Sequence, residues 1–330
     1  MSTALVVGLG VVGVRAARQL VDTPGIERVL LADRNRGRAR QLVEAFGAER
    51  ADTVAFSPGD VLPEGVDVVA TALPTGDDRP VVEQAIAQRV ACASVDDDHD
   101  AIERLRLLHD RAETAGVTVA IGCGLAPGIA DLLAKHAAST FDAIDEIRVA
   151  RTGWAGEACA AAVRAARRGT AVEWAEGAWR RDQYHDDQLV WFPDPIGARD
   201  CRIVSGGVAL LVDAFPDAAR ISTLLGEPPA RRRWRRQFDE AGEWGAARVE
   251  VWGQRGTSRD VMVYGVIERT SVAAGTMLAV AAAHLVGALG TRVERPGVAG
   301  PAVLFEPVPL LGELAERGVR AAAFEGVPVG

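Results

Sequence analysis

A chain of 330 residues exceeds one small domain, and at about 100–200 residues per domain it predicts two. With 48% apolar and 25% charged residues both domains can bury a core, which excludes a disordered chain. A net charge of −8 repels nucleic-acid phosphate and anionic lipid alike, so neither nucleic acid nor a membrane is an expected partner.

In chain order, the first third alternates short apolar runs with amphipathic ones, the rhythm of βαβ units around a parallel sheet. Strands are predicted at Ala4–Gly8 and Arg28–Ala32, weakly at Thr53–Phe56, then at Val66–Leu73, Val90–Val95 and Val117–Cys123. Helices are predicted at Val11–Asp22, Arg36–Phe46, Arg79–Gln88 and Asp100–Ala115. Six strands in this order give a doubly wound sheet. Pro127 and Gly128 then open a helix that runs to about Ala138, and the domain boundary is placed there.

Beyond the boundary, Ile144–Arg151 reads as a strand, and Val249–Trp252 with Val261–Ile267 reads as a hairpin across Gly253–Arg259. Tyr184–Asp200, dense in aromatics and turn formers, reads as a loop lining a pocket or one packed on itself. Ser271–Leu289 is Ala- and Gly-rich and contains His284, which favours a buried helix over a membrane span. Arg231–Arg236 reads as a solvated helix face in so acidic a chain. Glu306–Arg317 is amphipathic and helical. The predicted fold class is α/β, an N-terminal Rossmann doubly wound parallel sheet with a second α+β domain. The ranges are 1–125 for the first domain, 126–295 for the second, and 296–330 for a segment returning to the first.

The string VVGLGVVG sets Gly8, Gly10 and Gly13, with Val11 and Val12 between them, directly after a strand and at the start of a helix. The first glycine allows a tight turn, the second lets backbone approach a pyrophosphate, and the third lets helix and strand pack closely. Asp33 ends the second strand twenty residues after Gly13, where a carboxylate accepts hydrogen bonds from ribose hydroxyls. That favours NAD over NADP, while Arg34, Arg36 and Arg38 favour a 2′-phosphate, so NADP stays open. Ligands lie beyond the carboxyl ends of the strands, which nominates Leu73–Thr75, Asp96–His99 and Cys123–Gly128, with Leu73, Pro74, Cys123 and Gly124 beside the nicotinamide.

Among the run Asp96–Asp100, Asp96 is the candidate for a proton acceptor or ligand contact and the others for helix caps. Adjacent loop positions make a poor metal site, and no metal is expected. Cys123 reads as a small core residue rather than a nucleophile. His185 and Asp194 are acid–base candidates in the aromatic loop. The four cysteines, with no CxxC pair, exclude a disulfide framework or zinc knuckle and fit a reducing cytoplasm, and no charged segment precedes the N-terminal apolar run.

Four segments, VVGLGVVG, AGVTVAIGCGLAPGIADLLA, WFPDPIGARDC and RPGVAGPAVLFEPVPLLGELAERGV, carry a resemblance to the saccharopine dehydrogenase-like oxidoreductases, including lysine 6-dehydrogenase and carboxynorspermidine synthase relatives. The resemblance implies NAD(P)-linked hydride transfer at an amine or imine carbon of an amino-acid-like substrate, in a homodimer. By position, Pro74, Asp96 and the Gly124–Gly128 turn would border the nicotinamide, and Asp96 and His185 would be the acid–base candidates. The alternatives are a dehydrogenase acting on hydroxy acids or by reductive condensation, and a non-catalytic dinucleotide sensor.

Overall fold

The computed structural model describes residues 2–182, 186–227, 244–290 and 292–324. Its first third follows the βαβ rhythm: β1 (Ser2–Val7), α1 (Val11–Val21), β2 (Ile26–Ala32), α2 (Arg36–Phe46), β3 (Ala51–Thr53), β4 (Val68–Thr71), α3 (Arg79–Ala87) and β5 (Ala91–Ser94). Next come α4 (His99–Arg106), α5 (His109–Ala115) and β6 (Thr118–Ala120). The central strands β1, β4 and β5 are buried on both faces and read as near-continuous apolar runs, while β2 and β3 at the edge expose Glu27, Arg28, Asp52 and Thr53. β1 sends Ala4 and Val6 into one core and Leu5 and Val7 into the other. The second of these cores is closed by α3 (Val81, Val82, Ile86), α4 (Ile102, Leu105) and α5 (Ala112).

The predicted single helix over Asp100–Ala115 is two, α4 and α5, because the amide of Leu108 bonds the carbonyl of Leu105 at 2.9 Å in a tighter turn. That turn buries Leu108 and leaves Leu107 77% exposed.

The chain continues through α6 (Ile129–Ala138), β7 (Ala143–Thr152), α7 (Gly156–Ala166), β8 (Ala171–Ala175), β9 (Ala178–Asp182), β10 (Gln188–Phe192) and β11 (Gly197–Val204). It then forms α8 (Val208–Ala214), β12 (Arg220–Gly226), β13 (Trp244–Arg255) and β14 (Ser258–Arg269). With β16 (Ala321–Phe324) these strands make a mixed sheet in the order β10-β11-β12-β7-β13-β14-β16, β8 pairing with β12 and β9 with β8, and only β7–β12 is parallel. The predicted β13–β14 hairpin is present, longer at both ends and turning at Gly256–Thr257. The described part of the Tyr184–Asp200 stretch is not a loop: Gln188–Phe192 and Gly197–Val204 pair as a hairpin. The β8–β9 hairpin, unpredicted, turns through Glu176 and Gly177, both at positive φ, the signature of a two-residue turn.

The remaining elements are α9 (Thr270–Leu285), β15 (Gly297–Ala299), α10 (Pro301–Leu304), α11 (Pro307–Glu316) and β16 (Ala321–Phe324). β15 adds a seventh strand to the first sheet, parallel to β6, giving the order β15-β6-β5-β4-β1-β2-β3, while β16 pairs with β14 of the second sheet. α9 is apolar on every side and buried at every residue but Val272, and it packs along α1, β4 and β5. Gly275 makes that contact possible, since a Cβ there would lie 2.8 Å from the carbonyl oxygen of Val12. Among the described residues, no helix is long and apolar enough to cross a membrane. α6 covers the second sheet through Leu132 and Leu133, and these join Val149, Val249, α9 and α1 in one core spanning both sheets. The two sheets are thereby held together, and a narrow cleft lies between the turn that opens α6 and strands β7, β11 and β12.

Candidate active site

The turn after β1 is shaped by what its glycines exclude. Gly8 holds φ +87°, and a Cβ there would sit 2.6 Å from the carbonyl oxygen of Ala72; one at Gly13 would sit 1.8 Å from the carbonyl oxygen of Gly8. Gly10 differs: it is exposed, its added Cβ would meet nothing within 4 Å, and it caps α1 without a side-chain partner. Open space thus lies before the first amides of a helix, where a phosphate group is favoured by the unpaired N–H groups and the helix dipole. Val11 and Val12 are half-buried behind it, with Val11 beneath Gly156 at the start of α7.

Asp33, at the end of β2, braces this turn. Its Oδ2 accepts the amide of Leu9 at 2.7 Å and its Oδ1 accepts that of Asn35 at 2.7 Å. Arg38 donates to the carbonyl of Leu9 at 3.0 Å, whereas Arg34 is exposed. The dinucleotide's adenosine half fits this arrangement: a carboxylate beside an open glycine turn, ringed by guanidinium groups.

Acids cluster at the ends of β4 and β5. Asp96, 6% exposed, accepts the amide of Gly76 at 2.8 Å on Oδ2 and that of Asp98 at 3.3 Å on Oδ1. Burial, with the nearby charge of Asp78 next, pushes its carboxyl up to about 7. Asp78, 1% exposed, accepts the hydroxyls of Thr71 (2.7 Å) and Ser94. Burial outweighs those hydrogen bonds and raises it to about 6. Ser94 joins the two acids, because its Oγ also accepts the amide of Asp96 at 3.1 Å.

The other members of this run diverge. Asp98 caps α4 through the amide of Ala101, as expected, but Asp97 is no cap: it pairs with Arg151 of β7 at 2.7 Å, across the cleft. Among the described residues no group of three or more His, Cys, Asp or Glu is arranged to hold a metal ion.

Leu73 is half-buried and Pro74 exposed in the turn after β4. Cys123 is fully buried, its amide donating to Ser94 at 2.8 Å, and burial drives its thiol well above the ordinary range, which suits a core residue. Gly124 begins a knot-like turn. Its amide donates to the carbonyl of Pro127 at 3.0 Å, and the amide of Ile129 donates back to Gly124 at 3.0 Å. Gly128 sits at φ +126°, where a Cβ would fall 2.1 Å from the carbonyl oxygen of Gly124.

The turn aims the first residues of α6 into a narrow cleft with about 10 Å³ of free space, room for about one water. Ala126, Pro127 and Asp131 line one wall, and Val149, Arg151, Thr223 and Leu224 of the second sheet line the other.

Two residues in this region escaped sequence reasoning. Asp78 looks like a helix cap, and Asp131 looks like an acid answering the dipole of α6. Asp131's one legible signal is its isolation in the apolar run IADLLA, on a helix buried on nearly every side. Of the remaining candidates, Asp194 is exposed at the tip of the β10–β11 hairpin, away from the cleft lining. His185 and the Arg231–Arg236 run lie outside the described residues.

Residues 1–97 match the family model described as shikimate / quinate 5-dehydrogenase. Among solved structures, saccharopine dehydrogenase (L-Glu forming) from Saccharomyces cerevisiae superposes with a TM-score of 0.72 at 14% identity, covering 98% of this chain and 100% of that one. The chain shares the fold of saccharopine dehydrogenase. Amine dehydrogenase from Mycobacterium smegmatis (TM-score 0.55, 13% identity, 93% of this chain and 98% of that one) is also similar. So is the DAP dehydrogenase of C. glutamicum in complex with DAP (0.53, 14%, 96% and 99%).

Proposed function

We propose that this chain is an NAD(P)-dependent oxidoreductase that moves hydride at an amine or imine carbon of an amino-acid-like substrate. The observation that carries the reading is the buried acid Asp96, just past the carboxyl end of β5 in the sheet that carries the open glycine turn, with its neighbour Asp97 paired to Arg151 of the second sheet. A sensor needs the glycine turn but not a buried acid at the same sheet edge. The solved relatives named above, an amine dehydrogenase among them, agree with that chemistry.

Gly8, Gly10, Val11, Val12 and Gly13 hold the pyrophosphate against the start of α1. Asp33 and Arg34 hold the adenosine ribose, and Asp33 makes NAD the preferred form over NADP. Leu73, Pro74, Cys123 and Gly124 border the nicotinamide, which supplies the hydride acceptor or donor when bound. An ammonium nitrogen must lose a proton before its carbon can release hydride, because only the free lone pair stabilises the iminium that forms. Asp96 is assigned as the acceptor of that proton. Its pKa of about 7 places it half ionised at neutral pH, and Ser94 ties it to Asp78, a second buried carboxyl. His185 is the other acid–base candidate, and Asp96 takes precedence through its place at the strand ends.

We further propose a cytoplasmic homodimer joined through the second sheet, whose face opposite α6 carries Arg148, Ala150, Arg248 and Glu250 without a covering helix among the described elements. Calorimetric titration with NAD⁺ and NADP⁺, followed by a screen of amino acids and amines for absorbance change at 340 nm, tests the assignment. Saturable binding with turnover is expected. Binding without turnover across the panel would leave a sensor, and absence of binding would remove the reading.

A further inference from the structure

Asp78 stands where a helix cap belongs, immediately before α3, yet its side chain accepts no amide of that helix. Both oxygens turn inward instead. Oδ1 accepts the hydroxyl of Thr71 at the end of β4 at 2.7 Å, Oδ2 accepts the hydroxyl of Ser94 at the end of β5, and the amide of Leu73 is a third donor. A carboxyl buried this deeply costs stability that an exposed cap does not, so capping does not account for an acid here.

The contacts of Asp78 converge on Asp96. Ser94 gives its proton to Asp78 and accepts the amide of Asp96 at 3.1 Å on the same Oγ, so that hydroxyl cannot turn away without releasing the Asp96 main chain. Asp78 also closes the turn after β4, from which the amide of Gly76, at φ +84°, donates to Asp96 Oδ2 at 2.8 Å. Ser94 meets Asp96 at its amide and not at its carboxyl, so it offers no proton path between the acids.

The surrounding charges leave the pair to itself. Asp97 is paired with Arg151, Asp77 adjoins Asp78, the thiol of Cys92 is buried near Asp78, and Arg104 reaches only the turn at Gly76. After burial itself, the charge of Asp78 is what Asp96 feels most.

We propose that Asp78 is a positioning residue of the active site: through the Ser94 hydroxyl it fixes where Asp96 sits, and by its charge it sets how firmly the Asp96 carboxyl holds a proton. This rests on the oxidoreductase reading, in which Asp96 takes the ammonium proton, and it adds an acid that touches neither substrate nor cofactor. Asp78 titrates near 6 and is ionised at neutral pH, and a like charge so close keeps Asp96 protonated up to about 7. Without that charge Asp96 would ionise at lower pH and be the weaker base.

Carbon-13 NMR of the full chain, labelled at the aspartate carboxyls, reads Asp96 directly, its signal identified by its loss from Asp96→Asn. In the wild type the acids are expected to titrate as a pair, the Asp96 signal responding near 6 and again near 7. Asp78→Asn keeps the shape and an acceptor oxygen without the charge, and it is expected to lower the Asp96 titration by about half a pH unit or more. Ser94→Ala frees the Asp96 amide but keeps the Asp78 charge, and Asp96 is expected to titrate no lower than in the wild type. A merely structural Asp78 would act by admitting water, which lowers Asp96 in both variants or in neither.

A one-step titration of Asp96 in the wild type, or a fall in both variants or in neither, overturns the assignment, and the wild-type arm decides even where Asp78→Asn fails to fold. NAD⁺ titration of the same samples separates the two readings. Loss of the pattern with NAD⁺ still bound removes only the role of Asp78, and failure of NAD⁺ to bind removes the oxidoreductase.

Discussion

Alanine at Gly13 and alanine at Gly10, three residues apart in one turn, are predicted to fail in different ways. At Gly13 the new Cβ lies 1.8 Å from the carbonyl oxygen of Gly8 and 2.9 Å from its carbon, both backbone atoms. Reaching the 3.4 Å of ordinary contact means parting α1 from the turn by about 1.6 Å, roughly the rise of one helical residue. Overpacking costs about 1–3 kcal/mol, and a clash that no side-chain rotation relieves belongs at the upper end. At about 2–4 °C per kcal/mol for a chain of this size, Gly13→Ala should melt roughly 6–12 °C lower.

At Gly10 the Cβ meets nothing, and φ −66° with ψ −172° is open to alanine. The poorer helix cap and the reduced entropy of the unfolded chain, each about 0.5–1 kcal/mol, oppose one another, so Tm should move by no more than about 2 °C. The methyl does enter the space where a pyrophosphate would meet the first amides of α1, and a loss of about 1.4 kcal/mol or more, tenfold in Kd, is expected. Differential scanning calorimetry and NAD⁺ titration on both variants give the four numbers. Wild-type NAD⁺ affinity in Gly10→Ala would refute the placement of the phosphate, and wild-type stability in Gly13→Ala would refute the packing argument.

Asp96→Asn should lower amine-oxidising turnover at least tenfold while NAD⁺ still binds; in the wild type kcat should rise with pH through about 7 as the carboxylate forms, and that limb should vanish in the variant. Stability should fall with rising pH. Asp78, Asp96 and Asp131 titrate near 6, 7 and 8 in the fold against about 3.8 in the unfolded chain, so between those limits the folded protein holds protons the unfolded chain has released. Urea unfolding at pH 5 and pH 8 should therefore give the larger stability at pH 5, and the opposite order would show that these carboxyls are not buried as described. Asp33→Ala leaves the buried amide of Leu9 without its acceptor, which costs about 1–3 kcal/mol, and it should shift preference from NAD⁺ toward NADP⁺; titrating the variant with both dinucleotides checks this.

Much of the nucleotide-binding half was legible because its signals are local. The glycine spacing, the apolar run before it and the acid ending the next strand act within one βαβ unit, and the structure places Gly8, Gly13 and Asp33 in mutual support around Leu9. The acid at Asp96 was legible from its place at a strand end. Its partner Asp78 was not, because a residue preceding a helix has a sufficient local reason to be aspartate, and only tertiary packing turns it toward Thr71 and Ser94. Tyr184–Asp200 reads as a loop because turn formers cluster between the two short strands of the Gln188–Val204 hairpin, and the pairing partner of Cys201 on β12 lies twenty-five residues away at Gly226.

The C-terminal third marks the same limit more sharply. A three-residue strand such as β15 is too short for any period to show, and α9, apolar on every side, has no face that says what it will pack against. The sequence by itself determined the glycine turn, the parallel sheet it serves and the elements of the second domain that carry clear alternation or amphipathy, since those depend on neighbours a few residues apart. Tertiary structure alone decided that α9 lies on α1, that β15 extends the first sheet, that Asp97 pairs with Arg151, and that Asp131 and Arg151 face one cleft, because those contacts join segments whose separation along the chain leaves no mark in its pattern.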